Sequence, residues 1–266
     1  MAFFTSRDGV KLHYEVEGTG PPLLFHLGAG ADIELWRRAG YVGPLSKSYT
    51  CVLFDHRGHG RSDHPTTVEA NHVDRYADDV ITLVKHLGYS DVLFLGWSNA
   101  IHVGLRAAQQ HPELFDALVL LGAMGRPRAV ATIEEATKNR VAEIRQKGWW
   151  SILEPMSAAE KFPVPEWFLD SVVATDLEPW IAYIEARVLW NWEPWDALPA
   201  VEAPTLIMVG ELEDPEDVMA DVAAAMPHAT RLRIPDREHI NAFLYSEFVV
   251  PRVLEFLAAR SAQATG

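Results

Sequence analysis

The stretch "FLGWSNAIHVGL" (94–105) sets Ser98 where an apolar run gives way to a helix-like segment. A serine hydroxyl is a weak nucleophile at neutral pH, and it reacts only when a base lies within hydrogen-bond reach and a third group orients that base. In an open α/β sheet the place for such a serine is the carboxyl end of a strand, at a sharp turn into a helix. That turn needs small residues two before and two after the serine, and Gly96 and Ala100 occupy those positions. Alone, the spacing is weak, because glycine and serine crowd many turns. Eleven histidines compete to be the base. His102, one turn into the helix behind Ser98, is expected to pack or cap locally. His56, His59 and His64 lie in a Gly- and Arg-rich loop without regular ligand spacing, so no metal site is expected.

The elements that must position these residues are legible from hydrophobic period. "FFTSRDGVKLHYEVEG" alternates Leu12, Tyr14 and Val16 toward one face, with Asp8-Gly9 as a tight turn, and predicts an antiparallel hairpin. The short apolar runs at 23–26, 50–55, 92–97, 117–121 and 205–210 predict strands buried on both faces, as a parallel sheet requires. Between them, "DRYADDVITLVKHLG" repeats its apolar residues at helical spacing, and Gly88 is placed to end the helix. This alternation predicts a doubly wound, mostly parallel α/β sheet.

Residues 124–198 break the alternation. They are helical in pattern and hold seven of the nine tryptophans, which predicts a helical cap inserted into a core formed by 1–123 and 199–266. "GRPR" and "LPAVEAP" mark its ends. The tryptophans are expected to form the core of the cap, with a minority lining an apolar pocket.

Taken together, five segments resemble the α/β-hydrolase superfamily in the order that family uses. "GWSNA" is similar to its nucleophile elbow and "LLFHLGAGADIELW" to its His-Gly loop. "VLFDHRGHGRSDHP" is similar to its DxRGxGxS segment. "PTLIMVGELEDP" looks like its acid loop, and "LRIPDREHINAFLYSEFVVPRVLEFL" like its histidine loop and closing helix. The resemblance covers nearly the whole chain and implies a sheet of about eight strands.

The resemblance makes Ser98 the nucleophile and His239 the base. The acid is ambiguous by one residue. Family spacing after the strand points to Glu213, while an aspartate directly before a proline points to Asp214. Asp214 is favoured here, for its shorter side chain and for Pro215 stiffening the turn, with capping of the next helix as the competing role. The oxyanion formed on attack needs preorganised N–H donors. Asn99, at a helix N-terminus, is expected to supply one, and Gly28 the other. Leu27, where the family commonly has glycine, is an alternative to Gly28. His26 is expected to support that loop, and Trp97 to touch substrate or fill the sheet face.

Charge and composition bound the rest. With 23 Lys and Arg against 37 Asp and Glu, a net −14 repels nucleic acid and anionic membranes. The single cysteine, Cys51, cannot form an internal disulfide, and neither a signal segment nor an 18-residue apolar run is evident, so a cytoplasmic protein is expected. The resulting expectation is a cofactor-free serine hydrolase acting on a carboxylic ester or lactone of a small apolar molecule. Carbon–carbon bond hydrolysis, perhydrolysis and a hydrolase-fold receptor with vestigial turnover are the alternatives.

Overall fold

The computed structural model describes residues 2–127, 129–190 and 192–264. Its eight strands are β1 (Ala2–Thr5), β2 (Lys11–Glu17), β3 (Pro22–His26), β4 (Thr50–Phe54), β5 (Val92–Trp97), β6 (Phe115–Leu121), β7 (Thr205–Gly210) and β8 (Ala229–Ile234). They form one sheet in the order β1-β2-β4-β3-β5-β6-β7-β8. β1 and β2 pair antiparallel through the hairpin whose turn includes Gly9 at φ +88°, β2 pairs antiparallel with β4, and every other pairing is parallel. Each run read as buried from the sequence lies within or across one of these strands.

The helices of the core are α1 (Glu34–Arg38), α2 (Val42–Leu45), α3 (Val73–His86) and α4 (Ala100–Gln110). Between β6 and β7 the chain runs through α5 (Val130–Lys147), α6 (Trp150–Ala159), α7 (Glu166–Val173), α8 (Leu177–Ala186) and the short α9 (Pro194–Ala197), with no strand among the described residues. Arg128, the end of the expected "GRPR" boundary, lies outside the described residues. After β7 come α10 (Val218–Ala225), α11 (His239–Leu244) and α12 (Ser246–Ala264).

Strand side chains alternate between two buried layers. Leu24, Val52, Phe94, Leu118 and Ile207 pack with residues of α3, α4 and α10, among them Val80, Leu83 and Val222. Leu23, Phe25, Leu53, Leu95, Val119 and Met208 pack on the other face with Trp36, Phe243 and Val253. Each such side chain contributes about 1.5–3 kcal/mol on burial. α3 ends at His86, with Leu87 as its C-cap followed by Gly88 at φ +73°, as its glycine predicted. Arg57, fully buried, holds Asp79 of α3 through two hydrogen bonds of 2.7 Å and also binds Asp8 and the Ala70 carbonyl. That arginine is scaffold.

β3 lies between β4 and β5, so the chain leaves β3 to one side and returns to the other. Such a switch point opens a crevice at the carboxyl ends of the two strands. Ser98 follows β5 and Gly28 follows β3.

Candidate active site

β5 is buried along its length and runs straight into Ser98, whose φ is +62°. This left-handed conformation costs an ordinary residue about 1–3 kcal/mol. It is held by the Ser98 N–H donating to the Leu121 carbonyl of β6 (2.9 Å) and by the first turn of α4, where the Ile101 N–H donates to the Ser98 carbonyl (3.0 Å). The need for small flanking residues is visible in the packing. A Cβ on Gly96 would lie 2.6 Å from the Phe94 ring and 3.0 Å from the Ala100 Cβ.

The structure brings Ser98 and His239 together across 141 positions of sequence. Ser98 Oγ lies 3.0 Å from His239 Nε2, and Nδ1 of the same ring lies 2.6 Å from Glu213 Oε1. Glu213 Oε1 also accepts from the Ala123 N–H (2.9 Å). Burial opposes the charged forms of both His239 and Glu213. Their mutual attraction and hydrogen bond outweigh it, raising the imidazole pKa and lowering the carboxyl pKa from their ordinary values.

The expected partner of His239 was Asp214, and the structure corrects this. Asp214 is buried, and its two oxygens accept from the backbone N–H groups of Val218 (2.8 Å) and Met219 (2.9 Å). It caps α10, which begins at Val218. Glu213 and Asp214 both donate their N–H to the Gly210 carbonyl in one tight turn, so their side chains leave in different directions. The longer glutamate spans the remaining gap to the imidazole.

Of the two places expected for Trp97, the substrate contact is not seen and the filled sheet face is, since it is not among the residues lining the cavity beside Ser98. It is buried, stacked on His239 (centroids 5.1 Å apart, 23° between planes) and on Phe243 (4.2 Å, 22°). As the last residue of β5 it faces the layer containing α11, where it backs the imidazole. Its neighbour Ser98, in the turn, is presented above the sheet edge.

Gly28 lies against the serine. A Cβ there would come within 2.6 Å of the Ser98 Cβ and 3.0 Å of its Oγ. Among the described residues, neither the Gly28 nor the Asn99 backbone N–H has an acceptor. Leu27 is buried, and its carbonyl accepts from His26 Nδ1 (2.7 Å). The same loop is pinned by His59, whose Nε2 accepts from the Gly30 N–H (3.0 Å) while its Nδ1–H donates to the Arg57 carbonyl (3.1 Å). Burial holds His26 and His59 neutral, each down to about 4. No cluster of three potential metal ligands occurs among the described residues.

A cavity of about 830 Å³ begins at Asn99 and Ala123 and extends under the cap, lined among others by Met124, Trp180, Trp190 and Trp192. Trp195 joins them, so four of the seven cap tryptophans line the cavity rather than a minority. His102 lies on the same wall, with Trp190 edge-on to it at 5.6 Å, and burial lowers its pKa to about 3. Sequence reasoning missed Glu160, the residue after α6, whose carboxylate meets the start of α11. Nothing in the polar helical pattern of the cap signals a contact with residues 80 positions away.

A family model described as "alpha/beta hydrolase fold" matches residues 21–151. The esterase of Thermogutta terrifontis superposes with a TM-score of 0.82 at 23% identity, covering 97% of this chain and 98% of that one. The chain has the α/β-hydrolase fold. The chain is also 28% identical over 144 residues to a hydrolase of Bacillus subtilis, spanning 51% of this chain and about half (52%) of that protein. It is 24% identical over 279 residues to a non-heme haloperoxidase of Rhodococcus erythropolis, covering 97% of this chain and 99% of the relative.

Proposed function

We propose that this protein is a serine hydrolase that cleaves a carboxylic ester or lactone of a small, mainly apolar molecule through an acyl-enzyme on Ser98. The observation that carries the reading is the continuous chain from Ser98 Oγ to His239 to Glu213, at 3.0 and 2.6 Å. In this reaction Ser98 Oγ attacks the carbonyl carbon while its proton passes to His239 Nε2. The oxyanion sits between the N–H groups of Asn99 and Gly28, where the N-terminal dipole of α4 also favours negative charge. Collapse of the tetrahedral intermediate expels the alcohol, which takes the proton from Nε2. A water then gives its proton to Nε2 and attacks the acyl carbon, and Ser98 leaves with that proton. Glu213 stays ionised and stabilises the imidazolium formed in each step.

The tryptophan-lined cavity favours flat or short acyl groups over long lipid chains. The test is turnover of p-nitrophenyl acetate and butyrate, with the acyl adduct located by mass spectrometry. Steady turnover with an adduct on Ser98, abolished in a folded Ser98→Ala variant, is expected. A single slow turnover would indicate a receptor instead. The full-length match to a haloperoxidase favours one second reading, in which hydrogen peroxide replaces water in the deacylation. Peracid formation from the acyl donor and peroxide at a rate above hydrolysis would select it.

A further inference from the structure

We propose that Glu160, which belongs to the cap, is a positioning residue for His239, so that the cap forms part of the base's support as well as the wall of the cavity. This inference rests on the role proposed for His239. The first N–H groups of a helix have no acceptor within the helix, and α11 has no side-chain cap of its own from Glu238. Glu160 fills that gap from another part of the chain. Its Oε1 accepts from the Ile240 N–H (2.7 Å), and its Oε2 accepts from the Asn241 N–H (3.0 Å) and the Asn241 Nδ2 (2.7 Å).

Neighbouring residues extend the clasp. Asn241 Nδ2 also donates to the Phe162 carbonyl (2.8 Å), the Lys161 N–H donates to Glu238 Oε2 (2.9 Å), and Lys161 Nζ pairs with Asp236. Residues 160–162 thus fasten the whole histidine loop from Asp236 to Asn241. His239 is the first residue of α11, so its imidazole follows any shift of the turn that Glu160 holds. Trp97 and Glu213 fix the ring itself, whereas Glu160 fixes the backbone that carries it.

The charge matters as well as the hydrogen bonds. Around His239, Glu213 after β7 and Glu160 after α6 are the carboxylates whose attraction favours the imidazolium. Of the other charged groups on the histidine loop, Asp236 is paired with Lys161, Glu238 accepts from the Lys161 backbone, and the Arg237 guanidinium lies over the Phe162 and Tyr245 rings. An anion at the N-terminus of α11 also complements the helix dipole.

The test compares Glu160→Ala, Glu160→Gln and Glu160→Asp in the full chain. Glu160→Ala, folded by circular dichroism, should lower kcat by about 10²-fold with KM little changed, the scale expected when a reacting group is displaced by about 1 Å. Glu160→Asp should recover part of that loss. Glu160→Gln keeps an acceptor but loses the charge, so the acid limb of kcat/KM should move to lower pH. The His239 imidazole titration should move the same way when followed by NMR without substrate and assigned by its absence in His239→Gln. Wild-type kcat in folded Glu160→Ala, a loss confined to KM, or an unmoved His239 titration in Glu160→Gln would each overturn the proposal. Since the titration needs no turnover, it stands apart from the ester-hydrolase reading, which fails separately if the wild type turns over no ester.

Discussion

Glu213 and Asp214 are adjacent in the chain and serve different structures. Glu213 Oε1 sits 2.6 Å from His239 Nδ1, while the Asp214 carboxylate takes the N–H groups of Val218 and Met219 at 2.8 and 2.9 Å. One carboxylate holds the His239 imidazole and the other starts a helix.

Two variants separate these roles. Glu213→Gln should cut ester turnover toward the roughly 10⁴-fold loss seen for the analogous change in the serine-protease triad, with the fold intact. Asp214→Asn should leave the rate within a few-fold and lower stability by about 0.5–2 kcal/mol, the range for a weakened helix cap. Initial rates and thermal melts on the two proteins decide it. A large rate loss in Asp214→Asn with a native melt would return the role to Asp214.

The pH dependence follows from the same pair. His239 must be neutral to accept the Ser98 proton, and its pKa is raised, so kcat/KM should rise with pH through a midpoint above the ordinary histidine value of about 6.5. Glu213→Gln should move that midpoint down. The pair also links pH to stability. The raised imidazole contributes fully below its unfolded pKa, and its contribution is lost as pH rises through the folded value. The depressed carboxyl contributes above its unfolded pKa and is lost as pH falls through the folded value. The melting-temperature gap between wild type and Glu213→Gln should therefore be widest between roughly pH 4.3 and 6.5. A gap that does not vary with pH would mean the two groups are not coupled.

Gly28→Ala probes the close approach of the β3 loop to the serine. The added Cβ would sit 2.6 Å from the Ser98 Cβ, and the loop must retreat to admit it. Retreat moves the Gly28 N–H away from the developing oxyanion. A kcat loss of about 10²-fold is expected, the scale for one oxyanion donor, together with about 1–3 kcal/mol of destabilisation from overpacking. Stopped-flow acylation rates should carry the loss, and acylation at the wild-type rate would assign the donor to another residue.

Much of this protein is written locally. The short, continuous apolar runs that became β3 to β7 are buried on both faces because parallel strands between two helical layers admit little else. The change of pattern over 124–198 and the serine between Gly96 and Ala100 needed no knowledge of distant contacts, because a tight strand-to-helix turn excludes bulk within two residues. His239 was legible only through resemblance, since eleven histidines are chemically alike in a string of letters. Three features waited for the tertiary structure. Whether Glu213 or Asp214 meets the imidazole depends on the direction each side chain leaves a shared turn, a matter of angles that spacing does not encode. Trp97 backs His239 instead of lining the cavity because the packing of α11 beneath the elbow decides what lies against it. Glu160 reaches α11 because the cap folds back over the sheet edge, and a contact spanning 80 positions leaves no trace in either segment.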